Sequence, residues 1–332
     1  IRQLGLRPLT AKLINNRSIY SLKDAKRFLK PSFKDLPPPT LLKDMDKATA
    51  RIVAALEKKE EILVFGDYDV DGITATSLVY QFLRNAGAHV SYYIPNRITE
   101  GYGLKALHIR SCALPRKAKL IITVDCGSSS HEAILEARKH GMDVIVTDHH
   151  ELPDELPQAL ALINPKRRDA AAGLANLAGV GVAFYLIINL RMQLRRIGYW
   201  RKQKEPNLKM LCDLVALGTV ADVMPMINEN RILTKAGLEE LQTRGNEGIR
   251  MLMEQCGIVP RYLDAMDIAF KLGPRLNAAG RVAHADHAMA LLTADNPADA
   301  AQHAGHLHAL NRKRREKEKE ILREIDAYLE RH

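Results

Sequence analysis

Three aspartates at alternate positions followed by glycine, Asp67, Asp69, Asp71 and Gly72 in the stretch "VFGDYDVDGITATSL", form the most chemically loaded segment of the chain. They fit the opening of an EF-hand loop, which needs a bidentate glutamate at its twelfth position and a helix on either side. Leu78 occupies that twelfth position. Upstream, "EILVF" has the length and composition of a buried strand, and downstream "ITATSLVYQFLRNAG" reads as an amphipathic helix ending at Gly87. Strand, acidic turn and helix place the carboxylates at the carboxyl end of a strand, where open α/β sheets bind ligands.

Two more strand ends carry potential metal ligands: Asp125 in "IITVDCGSSS", and His149 and His150 in "VIVTDHHELP". One aspartate at a strand end is commonly a helix cap or a solvated turn, but three successive strand ends point to a shared centre. Carboxylate oxygens with imidazole suit Mn²⁺ or Mg²⁺ better than a thiolate-rich zinc site. Adjacent histidines point differently in most backbones, so His149 ranks above His150 as a ligand, leaving the other to meet substrate.

The elements that must position these groups alternate along the chain. Strand candidates "EILVFGD", "HVSYYIP", "KLIITVD", "DVIVTDH" and "ALALINP" are separated by helical stretches. This predicts an α/β fold with a mostly parallel sheet and helices on both faces, followed by a helical region and a long C-terminal helix. Four units are expected: a helical and proline-rich preface over 1–40, a catalytic α/β domain over 41–225, a helical subdomain over 226–296, and a long connecting helix over 297–332.

Composition narrows the function class. With 332 residues, 46% hydrophobic and 27% charged, the sequence is that of an ordinary globular protein. Cys112, Cys126, Cys212 and Cys256 lack CxxC spacing, which suggests a reducing compartment. No apolar run reaches the roughly 18 to 20 residues of a membrane helix, and a cytoplasmic location is expected. The net charge of +10 is uneven: 1–60 and 191–210 are strongly basic, whereas 61–190 and 211–310 are net acidic. Basic flanks around acidic metal ligands suit an enzyme of a polyanion, although such segments are often only solvated surface. Phosphate-loop, dinucleotide and nucleophile-elbow templates all fail, the last because "CGSSS" does not match.

Taken together, "DYDVDG", "TVDCG" and "TDHH" resemble, in order, the first three motifs of the DHH phosphoesterases, and "LVALGTVADVMP" resembles the fourth. The stretches "PNRITEGYGL", "NPKRRD", "GVGVAFYL" and "GPRLNAAGRV" narrow the likeness to RecJ-type single-strand-specific exonucleases. The resemblance implies that Asp69, Asp71, Asp125, His149 and Asp222 hold two divalent ions, with Asp125 bridging. Asp67 and Asp148 would then orient ligands, and His150 would join the catalytic set. Without the resemblance, Asp222 reads as a helix-end aspartate. Many relatives carry histidine where this chain has Phe65, so a contact made there must be absent or replaced.

Arg97 and Arg281 are candidates for substrate phosphate, because guanidinium forks grip phosphate oxygens bidentately. Tyr102 is a weaker candidate for base stacking and His284 for phosphate contact. Trp200, in "RMQLRRIGYWRKQKEPNLK", is one for tracking a single strand, against a plain solvated connector. The expected activity is metal-dependent 5′→3′ hydrolysis of single-stranded DNA to 5′-mononucleotides, in repair and recombination. By resemblance a single-stranded-DNA-binding protein is a possible partner, and the family's second domain is expected to be absent after the connecting helix. Another DHH phosphodiesterase activity, or a catalytically silent nucleic-acid scaffold, is the alternative.

Overall fold

The computed structural model describes residues 4–170, 173–201, 203–243 and 245–331. The first three residues of the expected preface, Lys202 of the basic aromatic segment and the last residue of the expected connecting helix lie outside the described residues. Five strands, β1 (Glu61–Phe65), β2 (His89–Tyr93), β3 (Leu120–Val124), β4 (Asp143–Thr147) and β5 (Ala161–Ile163), form one sheet. Every pairing is parallel and the order is β2-β1-β3-β4-β5. All five strand candidates are found.

These segments become strands because their apolar, β-branched side chains can be buried on both faces. Along β1, Ile62 and Val64 enter one core while Leu63 and Phe65 enter the other; along β3, Leu120, Ile122 and Val124 oppose Ile121. Helices Met45–Lys58, Val70–Asn85 and Gly179–Arg196 supply Ile52, Ile73 and Phe184 to the first core. Helix His131–Lys139 and the turn Ile109–Ala113 supply Ile134, Ala137 and Ile109 to the second. Phe65 is consumed there, stacked on Tyr93 at 5.8 Å and against His108 at 5.0 Å between ring centroids.

From β1 the chain moves outward to β2, then returns past β1 to build β3, β4 and β5 on the other side. The order therefore reverses between β1 and β3, and a crevice opens above their carboxyl ends. Asp67 and Asp125 stand just beyond those two ends.

The remaining helices include Cys212–Ala221, Asn228–Thr243, Glu247–Gln255, Gly273–Val282, Asp286–Leu292 and Pro297–Leu329. "GPRLNAAGRV" is helical despite its proline, because Pro274 sits in the first turn, where a missing N–H costs nothing. Helix Pro297–Leu329 starts where Asn296 accepts a hydrogen bond from the Asp299 N–H at 2.9 Å. Its buried residues, Ala300, Ala304, Leu307 and Asn311, all lie in its first half. Among the described residues, no helix is long and apolar enough to cross a membrane.

Candidate metal centre

The turn after β1 delivers three carboxylates with different bonding. Asp69 is the N-cap of helix Val70–Asn85, its side chain accepting from Gly72 N–H at 3.0 Å. Asp71, in the first turn of that helix, is fully buried, and its two oxygens accept N–H groups of Gly179 at 2.6 Å and Val180 at 2.9 Å. Those N–H groups belong to the positive end of helix Gly179–Arg196. Asp67 is also buried, yet its Oδ1 has no hydrogen-bond partner.

Glycines let these pieces close. A Cβ on Gly179 would fall 2.3 Å from Asp125 Oδ1, one on Gly218 2.7 Å from Asp71 Oδ1, and one on Gly72 2.6 Å from Asp67 Cβ. Gly179 and Gly218 had no individual signal in the sequence, since what they contribute is absent side chain and a backbone donor. "GVGVAFYL" enters the sequence reading as part of the family likeness, without a role for either glycine.

Asp125 extends the ladder beyond β3, its N–H bonding Thr147 O at 2.9 Å, and then turns with φ +60°, a conformation aspartate tolerates better than most residues. Beyond β4, Asp148 accepts from the N–H groups of Ser128 at 2.9 Å, His149 at 2.8 Å and His150 at 3.1 Å. The His150 ring Nδ1 also lies 2.8 Å from Asp148 Oδ1. Thus fixed, His149 points Nε2 at Asp125 Oδ1 (3.1 Å), Asp222 Oδ2 (3.6 Å) and Asp71 Oδ2 (3.7 Å). Asp222 reaches the crevice from the end of helix Cys212–Ala221.

Three ligand sets emerge, each with atoms within 4.8 Å of one another: Asp67, Asp69 and Asp125; Asp71, His149 and Asp222; and Asp125, His149 and His150. Asp125 and His149 each belong to two sets. Asp67 therefore has both the free oxygen and the neighbours of a ligand, where the sequence suggested an orienting role. Asp71, expected as a ligand, has both oxygens engaged by backbone N–H groups while remaining within reach of the same centre.

The electrostatics favour a cation. Burial, with the neighbouring carboxylates, pushes Asp71 and Asp125 well above the ordinary carboxylate range. Burial and Asp69 push Asp67 up to about 7 and Asp222 up to about 6. His149 is pushed down to about 4 by burial and by His150, so it is a neutral donor facing three carboxylates. Asp148 differs: burial pushes it up, but the His150 hydrogen bond and charge and the Ser128 N–H outweigh this and hold it at about 2. His150 is raised in turn, chiefly by Asp148. Buried Oδ1 atoms of Asp67 and Asp125 without hydrogen-bond donors, in an oxygen-rich set with one neutral imidazole, fit divalent ions such as Mn²⁺ or Mg²⁺.

Around this cluster the expected substrate residues separate. Tyr102 O–H donates to Asp125 O at 3.1 Å and lies 3.1 Å from His150 Nδ1, so it braces the site. Arg97 lies 5.1 Å over the Tyr68 ring, close to Asp67. Asn277 Oδ1 accepts the Val70 N–H at 3.1 Å, and a Cβ on Gly280 would meet Tyr68 O at 2.6 Å. The small residues of "NAAG" thus admit the backbone of the acidic turn itself, and Arg281 follows directly with its side chain exposed. His284 sits beside Asp286, its Nδ1 3.2 Å from Oδ2. Trp200 is not brought to the cluster. It packs edge-on against Phe82 and Tyr199, near the far end of helix Val70–Asn85, about 18 Å along the axis from the acidic turn.

A reversed-order parallel sheet with acidic and histidine groups at three strand ends is the arrangement of the DHH phosphoesterases, and residues 61–219 match the DHH family, N-terminal domain. The single-stranded-DNA-specific exonuclease RecJ of Salmonella typhimurium is 44% identical over 315 residues, which cover 94% of this chain and 54% of that protein. A crystal structure of exonuclease RecJ bound to manganese superposes with TM-score 0.76 at 36% identity, covering 87% of this chain and 70% of that one. RecJ in complex with Mg²⁺ from Thermus thermophilus gives TM-score 0.71 at 31% identity, covering 97% and 41%. The chain belongs to the RecJ family of DHH phosphoesterases. It spans about half the length of the curated relatives it matches.

Proposed function

We propose that this chain carries the catalytic centre of a metal-dependent 5′→3′ exonuclease that hydrolyses single-stranded DNA to 5′-mononucleotides. The observation that carries the reading is the pair of ligand sets meeting at Asp125, with His149 Nε2 turned into the same space. Asp67, Asp69, Asp71, Asp125, His149 and Asp222 would hold two divalent ions, Asp71 also fixing the N-terminus of helix Gly179–Arg196 behind the site. When bound, the ions would lower the pKa of a water and offset charge on the phosphoryl oxygens.

The chain's own groups do the positioning. Asp148 raises the His150 pKa and holds its ring at the rim, where a protonated imidazole would donate to a phosphate oxygen. Tyr102 braces the His150 ring and the backbone of Asp125. Arg97, held over Tyr68, and the exposed Arg281 offer guanidinium forks on the approach to the cluster. Relatives named as single-stranded-DNA-specific exonucleases support the substrate; a cytoplasmic location and a role in repair and recombination belong to the same proposal. A single-stranded-DNA-binding protein is a partner to test by direct binding.

The test is hydrolysis of single strands labelled at either end, with Mn²⁺ supplied after chelation. Release of 5′-mononucleotides from the 5′ end is expected. Degradation from the 3′ end, or turnover that survives chelation, contradicts the reading.

A further inference from the structure

Between helices Gly273–Val282 and Pro297–Leu329 runs a groove containing two cavities. The first, about 170 Å³, is bordered by Ala221, Asn277, Arg281 and Arg314. It adjoins the metal centre on two sides, because Ala221 precedes Asp222 and Asn277 holds the Val70 N–H beside Asp69. The second, about 340 Å³, is bordered by Arg275, Arg312, Arg315 and Lys319. Asn311 lies on this second cavity and accepts a hydrogen bond from Arg314 Nε of the first at 3.2 Å, so the two are neighbours along one seam.

The charge of the seam is not cancelled. Arg312 pairs with Glu316 at 3.9 Å and Arg314 with Glu318 at 3.1 Å. Arg275, Arg281, Arg315 and Lys319 have no carboxylate within ion-pair distance among the described residues. Burial, Arg275 and Arg312 together push His308, on the same seam, below its ordinary range, as a positive potential would. Arg312 to Lys319 span about 10 Å of helix, so the cations form a line rather than one anion pocket. An oxyanion chain is the chemistry that matches a line of guanidinium and ammonium groups leading from a phosphoryl-transfer centre.

We propose that this groove carries the sugar-phosphate backbone of the substrate strand away from the metal centre. Arg281 and Arg314 take the phosphates next to the cluster, and Arg275, Arg315 and Lys319 take those further along. The inference rests on the nuclease reading and adds the route of the strand. The charged helix tail, whose Arg312–Glu316 and Arg314–Glu318 pairs are spaced i,i+4, thereby acquires a ligand.

The experiment measures binding of a long and a short 5′-phosphorylated oligothymidylate in EDTA, as a function of salt, for the full chain and for Arg315→Gln/Lys319→Gln. Both side chains are exposed, so the substitutions leave the packing alone. The long strand should lose preference over the short one, and its salt slope should fall by about 1.4, at roughly 0.7 per lost contact. Arg275→Gln should lower it further. An unchanged slope in both variants overturns the route, as does equal binding of the two strands by the unaltered chain. Hydrolysis by the unaltered chain in Mn²⁺ is scored separately: its failure would sink the nuclease reading, while the binding arms still decide whether a strand occupies the groove.

Discussion

Asp148 Oδ1 lies 2.8 Å from the Nδ1 of His150 and 2.8 Å from the backbone N–H of His149. One carboxylate therefore sets both the ring of the rim histidine and the backbone of the buried one. Asp148→Asn removes the charge and sets an amide donor against either these groups or the Ser128 N–H. It should weaken Mn²⁺ binding by about 10- to 100-fold with the fold intact, the range for lost partners that orient metal ligands. Calorimetric Mn²⁺ titration checks this; unchanged affinity would mean that His149 orients itself.

Gly179 tests whether the backbone is part of the site. In Gly179→Ala the new methyl would meet Asp125 Oδ1 and Cβ at 2.3 and 2.7 Å, so helix Gly179–Arg196 or Asp125 must move. Overpacking of this kind costs about 1 to 3 kcal/mol. Mn²⁺ affinity should fall more steeply than thermal stability. Gly141→Ala, at a position with open space beside it but with φ +67°, serves as the stability-only comparison. Equal effects of the two substitutions on Mn²⁺ affinity would remove Gly179 from the site.

What the sequence disclosed and what it hid divide along a physical line. β1, β3 and β4 were legible because continuous apolar runs must be buried on both faces, and the motifs abutting them had to sit at their carboxyl ends. The resemblance ranked Asp71 as a ligand and Asp67 as an orienting group, but no local pattern could show that the Asp71 oxygens take N–H groups more than a hundred residues away while an Asp67 oxygen stays free. The bond between Asn277 and Val70 is equally long-range and leaves no local pattern. Trp200 was a candidate by composition alone, aromatics among bases, and composition could not show that its ring packs against Phe82 away from the metal cluster.

Arg97 and Arg281 are expected to act by geometry as well as charge. Lysine keeps the charge and loses the fork, so Arg97→Lys and Arg281→Lys should each lower kcat/KM on 5′-phosphorylated strands by about 10-fold or more, equivalent to about 1.4 kcal/mol. The loss should shrink on strands lacking the 5′-phosphate for whichever arginine grips that end. Wild-type kinetics in both lysine variants would assign them to the surface. For Arg97, stacking on Tyr68 adds a control: Tyr68→Leu should mimic part of the loss.

Asp213 provides a stability prediction away from the metal. It is buried, and desolvation pushes it up to about 7 despite N–H bonds from Leu214 at 2.6 Å and Asn246 at 2.8 Å. Its ordinary value is 3.8, so between that pH and about 7 the folded chain keeps a proton that the unfolded chain has released. The resulting stabilisation is fully present below the unfolded value and is lost as pH rises through the folded one. Asp213→Asn cannot titrate, so the stability of the wild type relative to this variant should fall between pH 5 and pH 8, by at most about 1.4 kcal/mol per unit inside the window, and level off above it. Urea unfolding of both proteins across that range measures the difference. A gap that stays constant or widens in favour of the wild type would show that the two N–H bonds outweigh burial and that Asp213 is ionised in the folded state.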